Sequence, residues 1–140
     1  MDHRRVRSSS FVVVTMLIFA AACSSQAQKK AQLTPDAKEY VRNLQLSEIS
    51  MKATESYARQ TVTEIEGKIT NAGDRTIRSA EVICIFYDRY GQMTKRERVP
   101  IIKTTLRPGE SRSFRLPFDD LPDSWNNQMP QLVIASIEFS

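Results

Sequence analysis

A single histidine, His3, serves all 140 residues, and it stands at the extreme N-terminus. Nucleophilic catalysis by Ser or Cys needs a base beside the nucleophile, and nothing downstream of His3 supplies an imidazole. Cysteine is nearly as scarce, with Cys23 and Cys84 only. Cys84 sits in Val82-Ile83-Cys84-Ile85-Phe86, apolar surroundings that hold a thiol protonated and inert, so core packing is its expected role. Metal ligation needs converging His, Cys or carboxylates. Asp119, Asp120 and Asp123 form an acidic loop that could hold calcium, but it lacks a glycine for a tight ligand turn. No metal and no cofactor are expected. Carboxylate pairs occur without the aromatic residues that would stack a sugar. The chain therefore reads as a non-enzyme.

Strong charge of one sign is also missing. The formal net charge is +4, and removing residues 1–22, with three arginines and one aspartate, leaves 17 basic and 15 acidic residues. A nucleic-acid binder carries a clustered basic face, whereas the best cluster here, Lys95-Arg96-Glu97-Arg98, is broken by a glutamate. No nucleic-acid partner is expected. The longest apolar run, Phe11–Ala22, has twelve residues with Thr15 as its one polar member. As a helix it would reach about 18 Å, short of the roughly 30 Å hydrocarbon core.

Three arginines before that run, and Ala20-Ala21-Ala22 after it, make a helical secretory signal peptide over residues 1–22. The junction Phe19-Ala20-Ala21-Ala22-Cys23-Ser24 resembles the lipobox of bacterial lipoproteins, with Ala20 where that family prefers Leu. The resemblance implies cleavage before Cys23 and alkylation of its sulfur by diacylglycerol, hence an anchor in the membrane. A plain secreted protein cut at the same Ala22–Cys23 bond is the alternative. Ser24 and Ser25 lack the aspartate of an inner-membrane retention signal, which favours the periplasmic side of the outer membrane. Residues 23–40 are expected to form a flexible polar tether, although Thr34 as a cap and Pro35 at the first helical position allow one helical turn. The globular domain is expected over 41–140.

Within that domain the apolar pattern has period two. Leu44–Ala53 switches phase near Ser47-Glu48, which predicts a bulged edge strand. Thr61–Asn71 alternates cleanly, with Gly67 on the apolar face, where it could leave a gap. Ile77–Asp88 is apolar on both faces and predicts a central strand covered on both sides. Asp88 and Gly91 then make a turn. Gln92–Lys103 predicts an edge strand, since Pro100 has no ladder donor. Pro108-Gly109 predicts a type II turn. Ser111–Phe118 puts Phe114, Leu116 and Phe118 on one face, and Gln131–Phe139 puts Val133, Ala135, Ile137 and Phe139 on one face. The expected architecture is an all-β, immunoglobulin-like antiparallel β-sandwich of about seven strands.

Three segments together resemble the FxLYD domain, an immunoglobulin-like module of bacterial and archaeal envelope proteins. They are Ile65-Glu-Gly-Lys-Ile-Thr-Asn71, Cys84-Ile85-Phe86-Tyr87-Asp88 with Gly91, and Leu106-Arg-Pro-Gly-Glu-Ser111 leading to Phe114. Cys84 and Phe86 depart from the naming motif but keep its apolar alternation. The resemblance implies the sandwich and brings no catalytic residues.

The function expected is that of a lipid-anchored, non-enzymatic envelope module that binds another envelope protein or serves as a structural accessory. The alternative is a carrier of a small ligand or lipid between the sheets. Cys23 is the lipidation site. Trp125, Asn126 and Tyr90 are the candidates for partner binding, since aromatic residues on loops at the end of a sandwich can anchor a partner. Trp125 could equally fold back over the core with Leu121 and Met129.

Overall fold

Thr34 caps the first element. Its hydroxyl accepts a hydrogen bond from the Ala37 amide at 3.2 Å, and Pro35 takes the first helical position of α1 (Pro35–Tyr40). In the computed structural model, residues 32–55 and 60–140 are described, so the signal peptide and residues 23–31 of the tether lie outside the described residues. The boundary expected at residue 41 moves forward. Ala37 and Tyr40 are buried in the domain core and Leu33 packs against it, because the apolar face of even one helical turn gains by covering the open end of the sandwich.

A 3-10 turn (Val41–Asn43) leads into six strands: β1 (Leu44–Glu55), β2 (Thr61–Asn71), β3 (Ile77–Tyr87), β4 (Met93–Ile102), β5 (Ser111–Phe118) and β6 (Gln131–Phe139). All neighbours pair antiparallel, in one sheet of order β1-β2-β5 and another of order β4-β3-β6. This is immunoglobulin-type wiring, with β1, β2 and β5 in the places of A, B and E and with β3, β4 and β6 in those of C, C′ and F. The described strands number six, not about seven. Residues 103–110 and 119–130 add only single bridges, Ile77 to Leu106 and Asp88 to Trp125, and Pro108, Pro122 and Pro130 deny those segments regular ladders.

The core lies between the sheets. Ile65, Ile69, Leu116 and Phe118 from one sheet meet Val82, Cys84 and Phe86 from the other, all at most 2% exposed. Phe86 and Phe118 close the middle edge to face, with centroids 5.0 Å apart. Gly67 leaves no gap. A Cβ placed on it would lie 2.5 Å from Phe114 Cζ and 2.6 Å from Ile49 Cδ1, so the Phe114 ring, directly across the ladder, already fills that space.

The expected bulge in β1 falls between Ser47 and Ser50, with Glu48 at φ 52°. The turn glycines Gly91 and Gly109 adopt φ 77° and 79°, and the Asp88 carboxylate accepts from the amides of Tyr90 and Gln92, each at 2.8 Å. β6 departs from the expected alternation. A register shift opposite Glu81/Val82 makes Ala135 the extra residue. Leu132 and Ile134 therefore pack toward the core on one side of the bulge and Ile137 on the other, while Val133 turns outward at 40% exposure. β3 is central as expected, but only its Val82-Cys84-Phe86 row is fully buried; Ile83, Ile85 and Tyr87 are half-buried.

Candidate functional site

One end of the sandwich collects three residues that sequence alone scattered over 36 positions. The β3–β4 turn brings Tyr90, and the β5–β6 loop brings Trp125 and Asn126, to one cleft of about 800 Å³. Backbone bonds fix the two loops to each other. The Asn126 amide donates to the Tyr87 carbonyl at 3.0 Å, and the Asn126 side chain donates to the Asp88 carbonyl at 3.3 Å. Asn126 Oδ1 also accepts from the Gln128 amide at 3.0 Å, across Asn127 at φ 59°. Tyr90 projects from the turn with 80% of its surface exposed.

Trp125 is half-buried. Its ring meets Phe86 edge to face at 5.7 Å, so it caps the core, and Leu121 packs against the core beside it. Met129, expected in that cap, is instead 41% exposed. The indole Nε1 is buried with no hydrogen-bond partner. Trp125 also lines a second groove of about 370 Å³, with Met51, Thr63, Leu121 and Asn127.

Of the acidic loop, Asp120 is committed to an ion pair with Lys95. That contact lowers the Asp120 pKa. Burial opposes the charge on Lys95, but its hydrogen bonds to Asp120 and Glu97 outweigh burial and raise its pKa. Among the described residues, no group of three or more His, Cys, Asp and Glu side chains is placed to hold a metal. Cys84 is a free thiol without exposed surface, and burial, helped by the Glu97 charge, pushes its pKa to about 12. Cys23 lies outside the described residues. No described helix is long and apolar enough to cross a membrane.

The two outer faces of the sandwich differ in kind. On β1-β2-β5 the outward residues are charged and paired: Lys52 with Glu66 at 2.7 Å, Lys68 with Glu48 at 2.8 Å, and Arg115 with Glu64 and Glu66 at 3.4 and 2.8 Å. On β4-β3-β6 the outward row is Ile83, Ile85 and Tyr87, flanked by Val133 on β6 and by Arg96 and Arg98 on β4. Sequence reading missed this face. Its residues come from three strands, and the apolar second row of β3 suggested burial, not partial exposure.

A family model described as "Protein of unknown function (DUF2393)" matches residues 6–133. No curated protein matches the chain. The crystal structure of a Bordetella pertussis protein provisionally designated ApaA is similar at 16% identity and a TM-score of 0.40, over 69% of this chain and 90% of that one.

Proposed function

This chain belongs to the DUF2393 family, and from that premise we propose that it is a lipid-anchored, non-enzymatic module of the bacterial cell envelope that binds another envelope protein. One observation carries the reading: the lipobox-like run Phe19-Ala20-Ala21-Ala22-Cys23 directly behind a charged and apolar leader. The family match spans residues 6–133 and so takes in the apolar run before Cys23. The FxLYD-like segments support the same assignment. Two or three acyl chains on Cys23 would hold the domain firmly, since each buried methylene contributes about 0.8 kcal/mol. The periplasmic side of the outer membrane is the proposed location.

The cleft between Tyr90 and Asn126 is the proposed partner site. An exposed aromatic beside backbone-fixed polar groups is the composition of an interface anchor. Mass spectrometry of the mature N-terminus tests the anchor. A thioether-linked diacylglycerol on Cys23 is expected, and an unmodified Cys23 refutes lipidation. Photocrosslinking from position 90 tests the site. A discrete envelope protein captured from position 90, and absent from position 50 on the charged sheet, is expected; equal capture from both positions refutes it.

A further inference from the structure

The outer face of β4-β3-β6 combines features that the charged face opposite does not. Two of the exposed large apolar side chains belong to it: Val133 at 40% and Met93, opposite Tyr87, at 58%. A groove of about 570 Å³ crosses it, lined by Leu33, Lys38, Ile83, Arg96, Arg98 and Ala135. Arg98 is paired with Glu81, but none of the ion pairs among the described residues includes Arg96 or Lys38. The face thus presents aliphatic and aromatic surface with unbalanced positive charge.

Three occupants can be weighed on charge and reach. The segment just upstream reads Cys23-Ser-Ser-Gln-Ala-Gln-Lys-Lys-Ala31, with two lysines and no acid, and is no complement to Arg96. A second copy set face to face would bring like charges together. An anionic surface complements both Arg96 and Lys38, and Lys29 and Lys30 would add to the attraction. The described chain starts at Gln32, which also lines this groove. Gln32 lies nine positions after Cys23, a reach of at most about 30 Å. An acyl anchor on Cys23 therefore keeps this face within that distance of the bilayer.

We propose that the outer face of the β4-β3-β6 sheet is a docking surface for an anionic phospholipid bilayer. The sandwich lies on its side, with Arg96 and Lys38 among the headgroups and Val133 and Met93 against the interface. Arginine and lysine near an anionic leaflet contribute about 1 kcal/mol each, or about fivefold in affinity per charge. The proposal rests on the anchoring reading, and the experiment separates the two.

The mature protein purified from membranes is reconstituted in vesicles of phosphatidylcholine alone or with phosphatidylglycerol. An environment-sensitive fluorophore is placed on V133C or, on the opposite face, on S50C; the buried Cys84 stays unlabelled. Mass spectrometry of the same sample reads Cys23, so loss of the anchor is recorded independently of docking. The expected result is that acrylamide quenching at position 133 falls at least fivefold in the anionic vesicles only. Position 50 is quenched alike in both, and K38A/R96A restores quenching at position 133. Equal quenching of position 133 in both vesicles overturns the proposal, as does equal protection in both. Protection in detergent that grows with protein concentration overturns it in favour of a second copy.

Discussion

The Tyr40 hydroxyl donates to the Asn71 side-chain oxygen at 2.9 Å, and Asn71 has no exposed surface at all. The same Asn71 side chain donates to the carbonyls of Arg75 at 2.7 Å and Leu106 at 3.3 Å, and accepts from the Gly73 amide at 3.2 Å. Tyr40 in turn accepts from the Arg75 amide, whose guanidinium lies 3.4 Å over the Phe139 ring. One buried amide thereby ties α1, the β2–β3 turn and the strand-like segment at Leu106 into one end of the sandwich. Asn71→Ala removes all four of these side-chain hydrogen bonds and leaves the Gly73 amide without its acceptor, while the Arg75 carbonyl keeps the Tyr40 hydroxyl and the Leu106 carbonyl keeps the Ile77 amide. The loss expected is about 2–4 kcal/mol, from one orphaned amide at about 1–3 and the lost hydrogen bonds at about 0.5–1.5 each. Tyr40→Phe should cost about 1–2 kcal/mol. Urea unfolding followed by tryptophan fluorescence reads both, and a loss in Asn71→Ala no larger than that in Tyr40→Phe would contradict the hub.

Gly67 and Gly73 are kept small by their neighbours, not by backbone conformation. A Cβ on Gly73 would lie 2.2 Å from the Tyr40 hydroxyl, so Gly73→Ala must displace the group that holds Asn71. Gly67→Ala collides with the Phe114 ring and the Ile49 Cδ1 methyl, at a cost of about 1–3 kcal/mol for overpacking. Adding Phe114→Leu should recover part of the Gly67→Ala loss, because the two positions face each other. Strictly additive thermal shifts would show that the ring is not what limits position 67.

Cys84 should not react with a thiol reagent at pH 8 in the folded protein, and should react fully in denaturant. Its pKa lies near 12, against a usual 9.0. Because the folded value is raised, the thiol's contribution is fully present below the unfolded pKa. It is lost as the pH rises from about 9 toward 12, at up to about 1.4 kcal/mol per pH unit. Cys84→Ala should flatten that alkaline limb of the stability curve.

Acid acts from the other side. The Lys52 hydrogen bond holds the Glu66 carboxyl below its ordinary pKa, Lys95 does the same for Asp120, and Arg78 with Ser79 does so for Glu138. Depressed carboxylates stabilise above their unfolded pKa, about 3.9 to 4.3. That contribution disappears as the pH falls through and below this range. Melting temperature should therefore drop below pH 4.5, and should drop less for Glu66→Gln. Salt should reduce the difference between the two proteins at pH 7.

Trp125→Phe should be tolerated within about 1 kcal/mol, because phenylalanine keeps an edge against Phe86 and removes a buried N–H that has no acceptor. Trp125→Ala should cost about 3 kcal/mol or more. Chemical denaturation of the two variants separates them.

Local chemistry made much of this fold legible. The bounds of β2, the bulge after Ser47, the Asp88–Gly91 turn and the Thr34 cap each follow from a few adjacent residues. What was not legible depends on pairing between distant ones. The bulge at Ala135 exists because β6 must match β3 opposite Glu81, so alternation counted along β6 alone placed Val133 in the core. Ile83, Ile85 and Tyr87 looked buried because no sequence pattern reveals that their face is only partly covered. Phe114 fills the space at Gly67 because the two are ladder partners 47 residues apart. The pairing of Trp125 with the Asp88 turn, which assembles the end cleft, is legible only once β3 and the β5–β6 loop share that end.

Cys84 has a wider consequence. It is the only cysteine among the described residues, and it is free. Among the described residues no disulfide joins the two sheets; the Phe86–Phe118 contact and the aliphatic side chains around it hold them together. Folding of this domain therefore consumes no oxidant and is indifferent to the thiol–disulfide balance of its surroundings. The same sandwich would form in a reducing or an oxidising compartment.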